Sequence, residues 1–199
     1  MGATVNEMLL AAYFYSVYEL AGFPASDQVM ISSAIDLRRH METVADKGFT
    51  NHTAWMQCAI PERGRDIFET VQYVVRSSNR FKKDKFMGLY GLPLLNFGYS
   101  ILPHAASEEI IKIGYSNPYM AMSNIGIING THLSLCGNEP TDAFMSGAVK
   151  YKPFVLLTAT TYKNVITLSM CVRGNDKDKE IVNNFFDLME KNIKTLTNE

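Results

Sequence analysis

Four histidines are the side chains of this sequence best suited to acid–base catalysis: His40, His52, His104 and His132. A histidine works as a general base where it reaches the proton that it abstracts, which requires a substrate pocket and an orienting partner. His104 precedes Glu108 by four residues and is the strongest candidate. We expect Ser107 to cap the helix that contains Glu108, which leaves His104 in the preceding loop and favours a structural role. His40 is interpreted as a loop residue, and His52 and His132 have no suitably spaced acid.

No other motif supplies a self-contained catalytic set. The three cysteines are an odd number without a Cys-x-x-Cys pair, which argues against a disulfide scaffold and a zinc site: Cys58, Cys136 and Cys171. We expect buried thiols in a reducing cytoplasm. A Gly-x-Ser-x-Gly elbow, a phosphate-binding loop and a dinucleotide fingerprint are all absent from the sequence. The sequence therefore predicts neither a metal site nor a covalently bound cofactor.

Composition indicates an ordinary globular domain. The 199 residues are 47% hydrophobic and 20% charged, with a net charge of −1. Such a chain can bury one sizeable core, and it lacks the basic excess typical of nucleic-acid binders. No Lys or Arg precedes the first apolar run, so we expect no signal peptide and a cytoplasmic protein.

Two neighbouring stretches have unusual charge patterns. The basic cluster consists of residues close together in sequence: Arg76, Arg80, Lys82, Lys83 and Lys85. It is interpreted as an exposed helix end or, alternatively, as a site for a phosphate or an acidic partner protein. Residues 86–107 contain no Asp, Glu, Lys or Arg. Because glycines and prolines interrupt this stretch, we expect a buried segment rather than a membrane span.

Periodicity and capping residues predict the helices. Thr4 and Glu7 form a capping box before an apolar helix that should be deeply buried and should end at Gly22. Asp66 and the preceding Gly64 open a second helix, and residues 107–113 and 179–196 form two more.

Strands are predicted on both sides of the second helix. Residues 29–37 and 53–60 form two strands, and the second half of the chain adds residues 119–128, 131–136, 143–151, 154–162 and 165–172. Lys163-Asn164 is a natural two-residue hairpin turn. This order of elements predicts an α/β domain with a mixed sheet covered by helices.

Four stretches resemble the condensation-domain superfamily, which includes peptide-synthetase condensation domains, alcohol O-acetyltransferases and wax-ester synthases. Residues 4–12 read Thr-Val-Asn-Glu-Met-Leu-Leu-Ala-Ala and resemble the "TVND-x-LLAA" helix of that family. Residues 35–39 resemble the "VDLR" strand end, residues 122–126 resemble the "SN-x-G" strand, and residues 147–168 resemble the closing hairpin. The resemblance spans essentially the whole chain.

The resemblance implies one lobe of a two-lobe enzyme. It covers only the second lobe of the chloramphenicol-acetyltransferase-like fold, a two-layer sandwich with a mixed, mostly antiparallel sheet. The family's catalytic His-His-x-x-x-Asp-Gly lies in the first lobe. At the matching junction of this chain Val172 stands in place of the catalytic His, while Asp176 keeps the Asp position. Because valine cannot accept a proton, this lobe is expected to be inactive alone.

The resemblance also implies a reaction and supporting residues. The reaction is acyl transfer from a thioester, on coenzyme A or the phosphopantetheine of a carrier protein, to an alcohol or amine. Ser123 and Asn124 would lie near the pantetheine or the oxyanion, and Arg38 would pair with the catalytic Asp of the other lobe. The implied partners are that N-terminal catalytic lobe and an acyl or peptidyl carrier protein. The alternative is a non-enzymatic module that binds an acyl carrier or a lipid-like ligand.

Overall fold

The first helix, α1, lies at the centre of the core. The computed structural model describes residues 2–41, 51–114 and 118–197. Helix α1 spans Val5–Ala21 and begins with the predicted capping box, in which the Thr4 amide donates to Glu7 Oε2 at 2.7 Å. It ends at Gly22, whose φ of 64° is a left-handed conformation that glycine adopts without a steric penalty. Apolar residues are buried around nearly its whole circumference: Leu9, Leu10, Ala11, Ala12, Tyr13 and Phe14. The predicted buried helix is therefore confirmed.

A five-stranded sheet forms the second layer. Its strands are β1 (Val29–Asp36), β2 (Thr53–Ile60), β3 (Met120–Ile127), β5 (Val155–Tyr162) and β6 (Val165–Met170), in the order β2-β1-β3-β5-β6. The outer pairings are antiparallel, whereas β3 pairs in parallel with β1 and with β5. The mixed sheet covered by helices is as predicted, and β3, which lies between β1 and β5, supplies its two parallel pairings. The short strands β4 (Lys150–Tyr151) and β7 (Val172–Arg173) form a separate parallel pair.

Helices α2 and α5 complete the helical layer. Helix α2 spans Ile67–Lys82 and is capped by Asp66, whose carboxylate accepts from the Glu69 amide at 2.8 Å. Helix α5 spans Asp176–Thr197 and begins three residues before the predicted start. Both helices pack against α1, and α2 also packs against β2. The core is formed where these helices meet the sheet, at residues that include Ile31, Cys58, Val71, Val74, Met122, Leu157 and Met189.

The segment between β3 and β5 contains less strand than the sequence predicts. Residues 131–136 form no strand of the sheet, and the first two of them belong to the 3-10 turn Gly130–His132. Of residues 143–151 only Lys150–Tyr151 is a strand. The Met145 amide donates to Thr160 Oγ1 at 3.2 Å, and Ser169 Oγ donates to the Met145 carbonyl at 3.1 Å. The strand prediction for residues 143–151 was wrong because the backbone of Met145 binds side chains of β5 and β6 instead of a neighbouring backbone.

Most of the charge-free stretch is exposed, which corrects the prediction that it is buried; Met87 and Ser107 are its buried residues. It contains helix α3 (Leu92–Ile101) and the start of helix α4 (His104–Gly114), and no residue of α3 is buried. Within the described residues no helix is long and apolar enough to span a bilayer.

Of the three cysteines only Cys58 is buried, whereas Cys136 is exposed and Cys171 is half-buried. The expectation of buried thiols therefore holds for Cys58 alone.

Candidate functional site

Arg38 lies just beyond the end of β1. The chain leaves β1 at Asp36 and makes one 3-10 turn over Leu37–His40. Asp36 Oδ1 accepts from the Arg38 amide at 2.9 Å and lies 3.3 Å from Arg38 Nη1. The same carboxylate therefore caps the turn and contacts the guanidinium, which is partly exposed at the surface.

Ser123 and Asn124 are consecutive on β3 and point to opposite faces of the sheet. Asn124 shares the helix-covered face with Met122, and its Oδ1 accepts from the Gly126 amide at 3.0 Å. Gly126 has a φ of 82°, and the pairing with β5 shifts register between Asn124 and Gly126. The Asn124 side chain thus holds the backbone at a bulge, where an amide is released from the ladder.

The Ser123 face carries a further hydroxyl that sequence reasoning missed. Ser123 is half-buried and lies opposite Thr158 of β5. Thr158 Oγ1 is buried and has no hydrogen-bond partner among the described residues. An unpartnered buried hydroxyl is a costly group that a ligand or water can satisfy. No local signal marks Thr158, because its neighbour across the strands is decided by register.

The strand ends bring these residues to one side of the molecule. Because β1 and β3 are parallel, their carboxyl ends lie at the same edge of the sheet. Arg38 follows the end of β1, and the bulge at Asn124 and Gly126 is near the end of β3. A parallel sheet commonly presents its functional groups at this edge.

A cavity lies at the junction between β7 and α5, beside Val172. It has a volume of about 350 Å³, and Val172, Asp176 and Asp178 are among its lining residues. Asp178 accepts from the Asn175 amide at 2.8 Å and from Lys152 Nζ at 2.9 Å, and these contacts lower the pKa of its carboxyl. The described lining contains no histidine. The cavity therefore offers carboxylates but no base that titrates near neutral pH.

His104 does not lie in a loop, which corrects the expectation based on Ser107. Helix α4 begins at His104, so His104 and Glu108 are one turn apart on the same helix. The Ser107 amide donates to the Pro103 carbonyl at 3.1 Å, which places Ser107 inside the first turn instead of at the cap. Both His104 and Glu108 are exposed. An exposed pair lacks the water-excluding surroundings that favour a catalytic base.

The other described groups add no metal centre. His40 Nε2 lies 3.2 Å from the Met87 carbonyl, and His52 Nε2 is buried without a partner among the described residues. No group of three or more His, Cys, Asp or Glu side chains in the described ranges could hold a metal ion. In the basic cluster, Lys82 pairs with Glu7, while Arg76 and Arg80 line a cavity of about 430 Å³. The cluster lies along the exposed end of α2 and just beyond it, and its alternative interpretation as a site for a phosphate or an acidic partner stays a prediction.

Comparison with known proteins assigns the fold. No protein-family model and no curated protein matches the sequence. Three solved structures illustrate the match: the TRI3 trichothecene 15-O-acetyltransferase from Fusarium sporotrichioides (TM-score 0.60, 13% identity), the PapA2 acyl transferase (0.59, 13%) and the starter condensation domain of the rhizomide synthetase RzmA (0.58, 11%). They match 94%, 96% and 95% of this chain, which in turn spans only 41%, 38% and 42% of theirs.

The chain has the fold of one lobe of these proteins. The lobe is built on the chloramphenicol-acetyltransferase-like plan, with the five-stranded sheet covered by helices. At such low sequence identity the match establishes the architecture of the lobe, and its chemistry has to be argued from its own residues.

Proposed function

We propose that this lobe is the C-terminal half of a thioester-dependent acyltransferase whose catalytic histidine is supplied by another lobe. The observation that carries the proposal is the junction between β7 and α5. There the lobe keeps a cavity and acidic side chains, but Val172 occupies the position expected for the base. A lobe with this fold, whose described cavity lining at this junction contains no histidine, is suited to form half of a site and not a whole one.

The proposed reaction transfers an acyl group from coenzyme A or from the phosphopantetheine of a carrier protein to an alcohol or amine. The histidine of the other lobe removes the proton of the nucleophile, and the resulting oxyanion requires nearby hydrogen-bond donors. Ser123, half-buried beside the unpartnered Thr158 hydroxyl, is the donor that this lobe contributes. Asn124 acts as a positioning residue through its bond to Gly126.

Arg38 is proposed to bridge the lobes. A guanidinium binds a carboxylate through two parallel hydrogen bonds, and this geometry would orient the catalytic Asp of the other lobe. In the lobe described here the Asp36 carboxylate contacts Arg38 and caps the same turn. Assembly would bring the catalytic Asp of the other lobe to this guanidinium.

The decisive experiment uses the natural protein. Its intact mass is measured by native mass spectrometry, and its acyl transfer is assayed with acetyl- and decanoyl-coenzyme A. The proposal expects a longer chain or a stable two-subunit assembly that carries a His-x-x-x-Asp motif, with transfer abolished when that His is replaced by Ala. A natural protein that consists of this lobe alone and transfers no acyl group would overturn it.

A binding module without catalysis is the second candidate. The exposed apolar residues of α3 favour it, because a contiguous exposed apolar patch usually marks the binding site of a ligand or partner. The same experiment separates the two functions. A natural protein without the histidine motif that binds an acyl carrier or a lipid-like ligand is a module, whereas turnover that depends on the histidine identifies an enzyme.

A further inference from the structure

Helices α3 and α4 enclose an apolar groove outside the site described above. The two helices pack against each other, and the groove between them has a volume of about 320 Å³. This volume is at the lower end of the range of about 300–1,000 Å³ for small-molecule sites. Except for one serine its lining is apolar: Leu94, Leu95, Phe97, Gly98, Tyr99, Ile101, Leu102, Ser107 and Ile110.

The groove continues into a second one on the other side of α3. Leu95 and Tyr99 line both, and the second groove has a volume of about 840 Å³ and extends to Phe86 and Tyr90. Neither lining contains an Asp, Glu, Lys or Arg. An elongated ligand without charge along its length matches this path, because nothing in the lining would pair with an ion.

Ser107 provides the one polar contact in the first groove. Its side chain is buried, with 4% of the residue exposed, and Oγ has no hydrogen-bond partner among the described residues. A serine inside a helix commonly donates to a carbonyl of the preceding turn, and this one does not. An unsatisfied hydroxyl in an apolar groove can donate a hydrogen bond to an acceptor atom of a bound ligand.

We infer that the groove between α3 and α4 binds a fatty acyl chain, with Ser107 Oγ donating a hydrogen bond to its carbonyl oxygen. The aliphatic chain lies against the leucines and aromatic rings and extends past Leu95 and Tyr99 into the second groove. A fatty acyl chain is the substrate class that this groove adds to the proposed function. Only the transfer of the bound chain rests on the proposed function. Binding itself can be measured on this lobe without turnover.

Gly98 offers a variant that fills the groove and leaves the fold intact. Gly98 lines the groove, its φ is not in the left-handed region, and a Cβ added there meets no atom within 4 Å. Gly91 is equally open, at the start of α3, and lines neither groove. The substitutions Gly98→Leu and Gly91→Leu thus make the same chemical change inside and outside the proposed site. Leucine favours helix over glycine at Gly98, inside α3, while Gly91 is the N-cap of the helix.

The test is a titration with the methyl ester of dansyl-labelled undecanoic acid, followed by fluorescence and by displacement with methyl palmitate, because an ester carbonyl is uncharged like that of a thioester-bound acyl chain. The unchanged lobe should bind the probe saturably. Gly98→Leu should weaken binding at least about tenfold, because the side chain takes the space of the acyl chain, whereas Gly91→Leu should stay within about twofold. Equal binding by the lobe and the Gly98 variant would overturn the inference, as would the absence of saturable binding.

Ser107→Ala tests the hydrogen bond. The variant should weaken probe binding about fivefold, the usual effect of one neutral hydrogen bond, without lowering the urea midpoint of unfolding. A purely structural Ser107 would leave binding unchanged and lower the midpoint, which contradicts the inference. A second copy of the chain is the other possible occupant of the groove, and light scattering tests for it. If the unchanged lobe is a dimer that binds no probe, and Gly98→Leu makes it monomeric, a second copy covers the groove and the inference is wrong.

Failure of this inference and failure of the proposed function are distinguishable. If a variant loses probe binding but the natural protein that carries it still transfers acyl groups, the groove has no role in the reaction and the proposed acyltransferase function stands. If the natural protein binds the probe saturably but transfers no acyl group, the groove is a binding site and the proposed acyltransferase function is wrong.

Discussion

Lys82 Nζ lies 2.6 Å from Glu7 Oε1 and joins the end of α2 to the beginning of α1. Glu7 is 2% exposed and also accepts hydrogen bonds from Ser78 and Thr4. Burial alone raises the pKa of the Glu7 carboxyl, but these contacts outweigh it and lower the pKa from 4.5 to about 2. One buried carboxylate therefore caps a helix and holds two helices together.

The first prediction concerns stability at acidic pH. Because the pKa of Glu7 is lower in the folded lobe, its stabilisation is complete above pH 4.5 and is lost as the pH falls toward 2. The difference between the pKa values corresponds to about 3 kcal/mol. Glu7→Gln should remove roughly this amount from the unfolding free energy at pH 7 and flatten its fall between pH 4.5 and 2, as measured by urea titration.

Glu190→Gln is the matched control for Glu7. Glu190 also lies 2.6 Å from a lysine Nζ, that of Lys194, but both side chains are largely exposed. An exposed pair one helical turn apart contributes little, because water and salt screen it. Equal losses of stability in the two variants would show that burial of Glu7 is irrelevant.

The second prediction concerns activity of the lobe by itself. With acetyl- or decanoyl-coenzyme A we expect no turnover above the uncatalysed rate, since Val172 cannot act as a base and His104 is exposed on α4. Release of free thiol measures the reaction. Turnover that disappears in His104→Ala would reject this expectation and assign the base to His104 and Glu108.

The third prediction separates Ser123 from Asn124. Asn124→Ala removes the acceptor of the Gly126 amide and should cost about 1 kcal/mol of unfolding free energy. Ser123→Ala should leave stability within about 0.5 kcal/mol and lower the turnover of the assembled enzyme. Urea unfolding and steady-state kinetics give the two readouts. If Ser123→Ala lowers stability and leaves turnover unchanged, Ser123 is a packing residue.

The fourth prediction concerns Arg38 in the assembled two-lobe enzyme. Arg38→Lys should lower kcat about tenfold with the melting temperature retained, because lysine keeps the charge and loses the two-pronged geometry. Arg39→Lys, at the next position of the same turn, is the control and should leave kcat within about twofold. Unchanged turnover in Arg38→Lys would remove Arg38 from the bridge between lobes.

Local signals account for the elements that were predicted well. The capping box of Thr4 and Glu7, the Asp66 cap and the turn at Lys163 and Asn164 all depend on residues a few positions apart. Both residues of that turn have positive φ, as a two-residue hairpin requires. Such contacts form whatever the rest of the chain does, so the sequence alone predicts them.

Long-range contacts account for the predictions that were wrong. Alternating apolar residues at 143–151 resemble a strand, but a strand also needs a neighbouring backbone, and side chains of β5 and β6 bind this segment instead. The apolar composition of 86–107 is the same whether the segment enters a core or lines a groove for a ligand, and only its position beside α4 distinguishes them.

By itself, the sequence determined helices α1 and α2 with their caps, most of helix α5, the hairpin of β5 and β6 and the α/β class. Tertiary structure alone decided that β3 lies between β1 and β5, that Glu7 meets Lys82 across 75 positions, and that Ser107 lies unpartnered in an apolar groove. The reason is physical: caps and turns are satisfied by near neighbours, whereas pairing order, burial and hydrogen-bond satisfaction depend on which distant segments the packed chain brings together.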